Sequence, residues 1–281
     1  MTVHQVAMLQ MVSTRDLQEN LHQASGLIRQ AAERGASLAL LPENFALFGS
    51  RGLREVAEAE SVPGGGPILA FLAEHSRRHG IWLVAGSMPM AHTGQGQAVS
   101  AGRVRASCLV YDPQGECRAR YDKLHLFDAA VADGHGRYRE SDSFEPGDTP
   151  VTLDSPIGRL GLSICYDLRF PEYYRMLRAH GAQCLLVPSA FTHTTGQAHW
   201  EPLLRARAIE NQCWVLAANQ GGWHDRKRRT WGHSMVIDPW GEVTAVTEDE
   251  GPQVLMASVD NERMEKIRSD MPVWSHRRLL D

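Results

Sequence analysis

The sequence predicts an α/β protein, a four-layer α-β-β-α sandwich of two mixed sheets, chiefly because two stretches occur in duplicate. Residues 35–45 and 181–191 share Gly, Ala, Leu, Pro and Phe in register. Each is a short apolar run ended by proline, which is typical of a strand buried on both faces. Residues 109–116 and 235–242 each run from a strand into an Asp-Pro-x-Gly turn. Because strand, helix, strand and hairpin recur in one order, two related layers should face each other with pseudo-two-fold symmetry and helices outside.

Hydrophobic periodicity predicts the individual elements. Residues 2–11 read as a strand, and residues 16–34 read as an amphipathic helix that Asp16 caps and Gly35 ends. Its apolar face consists of Leu17, Leu21, Ala24, Leu27, Ile28 and Ala31. Pro171 is expected near the first position of another helix. Since no linker interrupts the chain, residues 1–281 are predicted to form a single domain.

Composition narrows the class of ligand and the location. A net charge of −4, from 29 basic and 33 acidic residues, gives no reason to expect nucleic acid or an anionic membrane as partner. No apolar run is long enough for a membrane span, and the first residues do not resemble a secretion signal. Five cysteines without metal-type spacing fit a reducing cytoplasm without disulfides. The 13 histidines show no metal-binding spacing, so we expect no metal and no other cofactor.

Cys165 is the first candidate for chemistry. An apolar run, residues 160–164, ends at this cysteine shortly before the predicted helix at Pro171. A thiol on a strand-to-helix turn lies near backbone N–H groups and the positive end of a helix dipole, which favour the thiolate and can hold an oxyanion. The alternative is a buried strand-end cysteine that acts only as a small hydrophobe.

A thiol nucleophile also needs a base and a group that stabilises an oxyanion. Glu43 follows a buried strand, at a sheet end where ligand clefts form, although it could equally be a solvated loop charge. Lys123 ends the second strand of the first hairpin beside apolar and aromatic residues, although it could be a surface lysine. The polar, glycine-rich residues 124–148 read as a long loop, which in a compact domain is usually functional or disordered.

Three motifs contain these candidate residues: Leu-Pro-Glu-Asn at 41–44, Tyr-Asp-Lys-Leu-His-Leu-Phe-Asp at 121–128 and Ile-Cys-Tyr-Asp-Leu-Arg-Phe-Pro-Glu at 164–172. In this order they resemble the motifs of the nitrilase superfamily of carbon–nitrogen hydrolases. The resemblance covers essentially the whole chain and implies the nitrilase fold, usually dimerised. It also implies a role for each matching residue: Glu43 as general base, Lys123 as oxyanion stabiliser, Cys165 as nucleophile, the Tyr166 N–H as second oxyanion donor, and Glu140 as a further carboxylate that positions substrate or assists proton transfer.

Residues 191–201, 204–213, 231–236 and 272–278 narrow the resemblance to the Nit branch of that superfamily, although Gln197 stands where proline is common. The branch implies hydrolysis of a small α-keto acid amide through a cysteine thioester. Deaminated glutathione, cleaved to 2-oxoglutarate and cysteinylglycine, is the first choice of substrate. The keto acid end would be bound by Arg169, Phe191 and Thr195. The basic residues 226–229 could meet the terminal carboxylate of the leaving group or simply face solvent.

Other functions stay open from sequence alone. One is an ω-amidase that acts on α-ketoglutaramate, and another is a true nitrilase or carbamoyl-amine hydrolase. A third is a catalytically silent Nit-type interaction domain, because a fold does not fix function. The expected partners are a small-molecule amide and a second copy of the chain, in a homodimer or larger assembly.

Overall fold

The computed structural model describes residues 3–62, 64–100, 102–133 and 136–279. Within these residues the strands are β1 (Val3–Gln10), β2 (Leu38–Leu40), β3 (Trp82–Val84), β4 (Met88–Met90), β5 (Arg105–Tyr111), β6 (Cys117–Asp122), β7 (Asp128–Val131), β8 (Gly136–Arg139), β9 (Thr152–Ser155), β10 (Gly158–Leu162), β11 (Cys184–Leu186), β12 (Trp214–Ala217), β13 (Gly221–Trp223), β14 (Arg229–Trp231), β15 (Met235–Ile237), β16 (Val243–Val246) and β17 (Gln253–Asp260). The α-helices are α1 (Leu17–Glu33), α2 (Leu53–Ala59), α3 (Pro67–His79), α4 (Pro171–Ala179), α5 (His193–Asn211) and α6 (Asn261–Asp270). Short 3-10 turns span Glu140–Asp142, Cys165–Arg169 and Val273–His276.

Two mixed sheets form the inner layers, which confirms the predicted sandwich. In the described ranges, the first sheet has seven strands in the order β17-β1-β2-β3-β5-β4, with β6 paired to β5. The second has six, in the order β16-β15-β12-β11-β10-β9. Parallel pairing joins β1, β2 and β3 in one sheet and β10, β11 and β12 in the other. The hairpins β7–β8 and β13–β14 stand apart from both sheets.

Side-chain alternation along β1 gives the first sheet its two apolar faces. Val6 and Met8 belong to the core that also contains Leu162 and Leu186 of the second sheet. Ala7 and Leu9, which alternate with them along the strand, pack with residues of α1 and α3 on the outer face of the sheet. The predicted strand is therefore confirmed over residues 3–10, whereas Thr2 lies outside the described residues.

Helix α1 has the predicted ends and the predicted apolar face. The Asp16 side chain accepts a hydrogen bond from the Glu19 N–H at 3.0 Å and so caps the first turn. Gly35 follows the helix with φ of 83°, a left-handed conformation that glycine adopts without strain. Leu17 is half-buried, and the other residues of the predicted face are fully buried: Leu21, Ala24, Leu27, Ile28 and Ala31.

The duplication extends to the backbone of the hairpins β5–β6 and β15–β16. Oδ1 of Asp112 accepts hydrogen bonds from the N–H groups two and four residues later, both at 3.0 Å. Oδ1 of Asp238 does the same at 3.0 and 2.8 Å. In both hairpins the strand register shifts between the second and first residues before the aspartate. Such a bulge at matching places indicates that the two halves share one backbone plan.

The segment predicted as a long loop, residues 124–148, contains regular structure. Its described residues, which exclude 134 and 135, include the hairpin β7–β8 and then the 3-10 turn that begins at Glu140. The Asp128 carboxylate stabilises this arrangement by accepting hydrogen bonds from the N–H and the hydroxyl of Ser141, at 3.0 and 2.5 Å. The hairpin thereby fixes the position of Glu140.

Two further features bear on the expectations from composition. No helix in the described part of the chain is both long enough and apolar enough to cross a bilayer. All five cysteines are free thiols; Cys117 is exposed and Cys165 is half-buried.

Candidate active site

The three predicted catalytic side chains come together where strands of the two sheets end. Glu43 follows β2, Lys123 directly follows β6, and Cys165 follows β10. These three residues and Glu140 line one cavity of about 540 Å³. The fold therefore brings together four predicted site residues that lie as much as 122 positions apart in the sequence.

Lys123 is the centre of a buried ion cluster. Its Nζ lies 2.7 Å from Oε1 of Glu43, and 2.8 and 2.9 Å from the two carboxylate oxygens of Glu140. Lys123 is 2% exposed and Glu43 is 4% exposed, so water contributes little to their solvation. Glu140 also accepts a hydrogen bond from the Phe127 N–H at 2.6 Å, which holds its carboxylate against the lysine. The two alternatives left open, a solvated glutamate and a surface lysine, are both wrong.

The electrostatics of this cluster keep the lysine charged. Burial alone would lower the pKa of Lys123, but the neighbouring Glu140 and Glu43 outweigh it and hold that pKa well above its usual range. Burial raises the pKa of Glu140, against the opposing effect of Lys123, and the nearby Glu43 raises it further. An ammonium group fixed between two carboxylates is thus ready to donate a hydrogen bond to a developing negative charge.

Cys165 occupies an unusual backbone conformation. Its φ is 48°, in the left-handed region that non-glycine residues rarely adopt and that often marks functional sites. The Cys165 N–H donates a hydrogen bond to the Pro188 carbonyl at 2.9 Å, which holds the turn in place. The N–H of the next residue, Tyr166, donates to no acceptor among the residues that the structure describes. The Tyr166 N–H is therefore unpaired within the described residues, and its role as an oxyanion donor stays a prediction.

At Cys165, burial and a neighbouring carboxylate outweigh the features of the turn that favour a thiolate. Burial raises the pKa of Cys165 well above its usual range, and the negative charge of Glu43 raises it further. Lys123 and the Ala190 backbone act in the opposite direction but do not outweigh them. Helix α4 begins six residues later, at Pro171, and a helix dipole acts only near its first turn. The resting state is therefore a thiol that needs a base, and Glu43 is beside it.

Asp167 is a functional residue that sequence reasoning missed. Its carboxylate, fully buried, accepts hydrogen bonds from the Tyr121 hydroxyl at 2.7 Å and the Ile164 N–H at 2.8 Å. It also contacts the N–H of His125 at 3.1 Å and Nδ1 of the same residue at 2.7 Å. These contacts join the segment around Lys123 to the segment around Cys165. The acidic residue two positions after the cysteine, between Tyr166 and Leu168, was the available signal.

The residues predicted to bind the keto acid end do not line this cavity. The Arg169 guanidinium lies over the rings of Tyr166 and Phe191, 5.8 and 5.4 Å from their centroids, and contacts Nδ1 of His199 at 3.3 Å. Phe191 is buried. The Thr195 hydroxyl contacts the Thr192 hydroxyl at 2.8 Å, and only Thr192 reaches the cavity wall. Binding of substrate by Arg169, Phe191 and Thr195 stays a prediction.

Comparison with known proteins decides the family. The family profile of carbon–nitrogen hydrolases matches residues 5–269. The chain belongs to the carbon–nitrogen hydrolase family. The predicted family and enzyme class, a hydrolase of amide-type carbon–nitrogen bonds, are thereby confirmed. In the described ranges of this hydrolase, no group of three His, Cys, Asp or Glu side chains is arranged to bind a metal ion.

Individual relatives of this hydrolase agree with that assignment. A deaminated glutathione amidase of Yersinia enterocolitica is 45% identical over 98% of the chain and 93% of its own length. The crystal structure of the Caenorhabditis elegans NitFhit protein superposes with a TM-score of 0.87 at 42% identity, over 98% of this chain and 65% of that one. A Nesterenkonia amidase, TM-score 0.76 at 27% identity, covers 96% of this chain and 98% of its own. Its structure is of a glutamate-to-glutamine variant in which acrylamide has added to the active-site cysteine.

Proposed function

We propose that this hydrolase cleaves deaminated glutathione, an α-keto acid amide, to 2-oxoglutarate and cysteinylglycine through a thioester on Cys165. The observation that carries the proposal is the buried contact of Lys123 with Glu43 and Glu140, in the same cavity as the thiol. These groups supply a nucleophile, a base and a cation for an oxyanion, as amide hydrolysis requires. The substrate is inferred from the names of relatives such as the Yersinia enterocolitica amidase.

Acylation begins with transfer of the thiol proton of Cys165 to Glu43. The sulfur attacks the amide carbon, and the oxygen of the tetrahedral intermediate is stabilised by Nζ of Lys123 and the Tyr166 N–H. Lys123 has three N–H donors, all directed at carboxylate oxygens in the resting state. One of its two contacts with Glu140 is therefore replaced by the oxyanion, while the other keeps the ammonium in place.

Collapse of the intermediate releases the amine. The proton held on Glu43 passes to the leaving nitrogen, the carbon–nitrogen bond breaks, and the acyl group stays on sulfur as a thioester. Glu43 then removes a proton from water, which attacks the thioester carbon, and the same two donors stabilise the second oxyanion. Collapse of this second intermediate breaks the carbon–sulfur bond, the sulfur of Cys165 takes back the proton from Glu43, and the acid is released. One base thus serves both halves of the reaction.

The direct test is turnover of deaminated glutathione by the full chain, followed as release of the cysteinylglycine amino group and of 2-oxoglutarate. We expect equal amounts of the two products and a kcat/KM higher than that for α-ketoglutaramate. A clear preference for α-ketoglutaramate would make the protein an ω-amidase. Faster consumption of nitriles than of amides would replace the amidase assignment altogether.

Glu43→Gln is expected to have opposite effects on turnover and on thiol reactivity. Loss of the base should lower kcat by about 100-fold or more. Loss of its negative charge should lower the pKa of Cys165, because Glu43 is one of the groups that raise it. Alkylation of Cys165 by iodoacetamide at neutral pH should therefore become faster. The acrylamide adduct in the corresponding kind of variant of the Nesterenkonia amidase supports this expectation.

The measurement is the rate of alkylation against pH for both forms of the protein. A Cys117→Ser background removes the exposed thiol that would otherwise consume reagent. The profile of Glu43→Gln should shift to lower pH than that of the parent. A profile that stays in place or moves to higher pH would show that Glu43 does not control the thiol.

A homodimer in the cytoplasm completes the proposal. Met176 of α4 and Ile209 of α5 are 45% and 46% exposed, and these helices pack against each other on the outside of the second sheet. They offer apolar area for a partner copy. Near the C-terminal end, the Arg277 guanidinium lies over the ring of Trp274, with its carbon Cζ 3.5 Å from the ring centroid. The five free thiols suit a reducing compartment.

A further inference from the structure

The cavity that contains Cys165 has opposite charges at its two ends. Glu43, Glu140 and Lys123 lie together at the buried end. Arg15, Lys227 and Arg228, here called the cationic rim, line the cavity where residues are exposed or half-buried. The buried end holds two carboxylates and one ammonium and so offers no excess of positive charge. An anionic group of a bound ligand is therefore attracted to the cationic rim rather than to the buried end.

Within the cationic rim, the Arg228 guanidinium is held by aromatic rings. Its carbon Cζ lies 4.5 Å from the centroid of the Phe48 ring and 5.7 Å from that of Tyr138, and both rings line the cavity. Stacking of this kind orients the planar group without neutralising it. In the described part of the chain, no carboxylate forms an ion pair with Arg228. A half-buried, oriented and unneutralised guanidinium is suited to bind a carboxylate through two parallel hydrogen bonds.

The one acidic residue of the adjacent loop is already engaged. Oδ1 of Asp225 accepts the N–H groups of Lys227 and Arg228 at 2.7 and 2.8 Å, which closes the turn that presents both side chains. Its other oxygen lies 3.5 Å from a guanidinium nitrogen of Arg15. Asp225 therefore shapes the cationic rim more than it neutralises it, and the net charge of the rim with Asp225 stays positive.

The other titratable residues near the cationic rim do not cancel its positive charge. Arg139 and Asp142, which also line the cavity, pair with each other at 3.2 Å. The ring of His224 stacks on the ring of Phe48, which also contacts Arg228, and the two ring centroids lie 3.5 Å apart. Burial lowers the pKa of His224 to about 4, so this residue carries no charge at neutral pH.

The cavity also continues beyond the cationic rim. A second, open depression of about 690 Å³ shares Arg15, Asp225 and Lys227 with it. An amide that releases ammonia would leave this length of groove empty. An amide whose leaving amine is a dipeptide would extend from the thiol toward the rim.

Building on the function proposed above, we infer that Arg228 is a specificity residue, which binds the terminal carboxylate of a peptide-like leaving amine. The inference assigns the acyl group to the buried end beside Cys165 and the leaving group to the rim. It predicts that the enzyme cleaves amides faster when the leaving amine ends in a negatively charged group. This selectivity would depend on Arg228 and not on the catalytic groups.

The test compares two substrates that differ only at that end: deaminated glutathione and its C-terminal carboxamide. For the parent enzyme we expect kcat/KM to favour the free carboxylate by about tenfold, the effect of one charge-assisted contact. In Arg228→Met this ratio should fall to near one. Arg228→Lys, which keeps the charge but not the planar fork, should retain part of it. Arg29→Met is the matched control, since Arg29 is exposed on α1 and pairs with Glu33.

Added salt should lower the ratio for the parent enzyme and have little effect on it in Arg228→Met. Equal cleavage of the two substrates by the parent enzyme would overturn the inference while leaving the amidase function intact. The inference would also be overturned if the ratio of the two kcat/KM values were the same in Arg228→Met as in the parent enzyme. Cleavage of neither substrate by the parent enzyme would overturn the proposed function, and the inference with it.

Discussion

Cys165→Ala is expected to lower kcat for any amide substrate by at least about a thousandfold, because no thioester can form. The folded state should survive, since Cys165 is only half-buried as a residue and the turn is held by backbone contacts such as the hydrogen bond from the Cys165 N–H to the Pro188 carbonyl. The measurement is single-turnover and steady-state release of the amine, with circular dichroism as the check on folding.

Cys117→Ala is the matched control, because it removes an exposed thiol on β6. Its turnover should equal that of the parent enzyme. Stoichiometric iodoacetamide labelling should abolish activity in the control and leave the residual rate of Cys165→Ala unchanged. Substantial turnover by Cys165→Ala, or loss of turnover in a variant of another cysteine alone, would contradict the assignment of the nucleophile.

Lys123→Met is expected to damage both catalysis and stability. Loss of the oxyanion donor should lower kcat by about 100- to 1000-fold. Removal of the cation also leaves Glu43 and Glu140 buried without their partner, which typically costs about 3–5 kcal/mol of unfolding free energy. The measurement for stability is the free energy of unfolding from denaturant titration.

The stability loss in Lys123→Met should depend on pH in a definite direction. Lys123 opposes the effects of burial and of Glu43 on the pKa of Glu140, so loss of the ammonium raises that folded-state pKa further above its unfolded value. The protonated form of Glu140 is then the one compatible with burial, so stability is retained at low pH and lost as pH rises past the unfolded pKa. The deficit relative to the parent protein should therefore be larger at pH 7 than at pH 5.

Two further variants make this prediction specific. Lys123→Met combined with Glu140→Gln should recover part of the lost stability, because one uncompensated charge is gone. Lys266→Met removes an exposed lysine, paired with Asp270 at 2.7 Å, and should change the unfolding free energy by less than about 1 kcal/mol. A loss in Lys123→Met as small as in Lys266→Met would show that the buried cluster is not a strong electrostatic unit.

Much of the fold was predictable because its signals are local. The apolar face of α1 and its cap at Asp16 lie within about twenty residues, and the duplicated Asp-Pro-x-Gly turns each contain their own hydrogen bonds. The meeting of Glu43, Lys123 and Cys165 was expected for a related reason. Each of them follows a strand, and strands arranged in sheets bring their ends together even when far apart in sequence. Their catalytic roles were inferred from motifs that resemble those of the nitrilase superfamily, and they stay a prediction.

The features that escaped prediction depend on tertiary contacts. The carboxylate of Asp167 gains its importance only when the segments around Lys123 and Cys165 meet, as its bonds to Tyr121 and Ile164 show. The raised pKa of Cys165 could not be predicted, because the sequence reveals neither the burial of this residue nor its proximity to Glu43. Likewise, the contact of Arg228 with the ring of Phe48 could not be predicted, because the two residues lie 180 positions apart in the sequence.

The pairing of β1 with β17 has a consequence for synthesis on the ribosome. The two strands pair over eight residues, yet β17 is translated about 12 to 50 s after β1 at typical rates of about 5 to 20 residues per second. During that interval one edge of β1 has unpaired N–H and C=O groups that can bind another strand. Glu43, Lys123, Glu140 and Cys165 are all translated before β17. A nascent chain that stalls before residue 253 would therefore contain all four candidate catalytic residues and still be prone to aggregate.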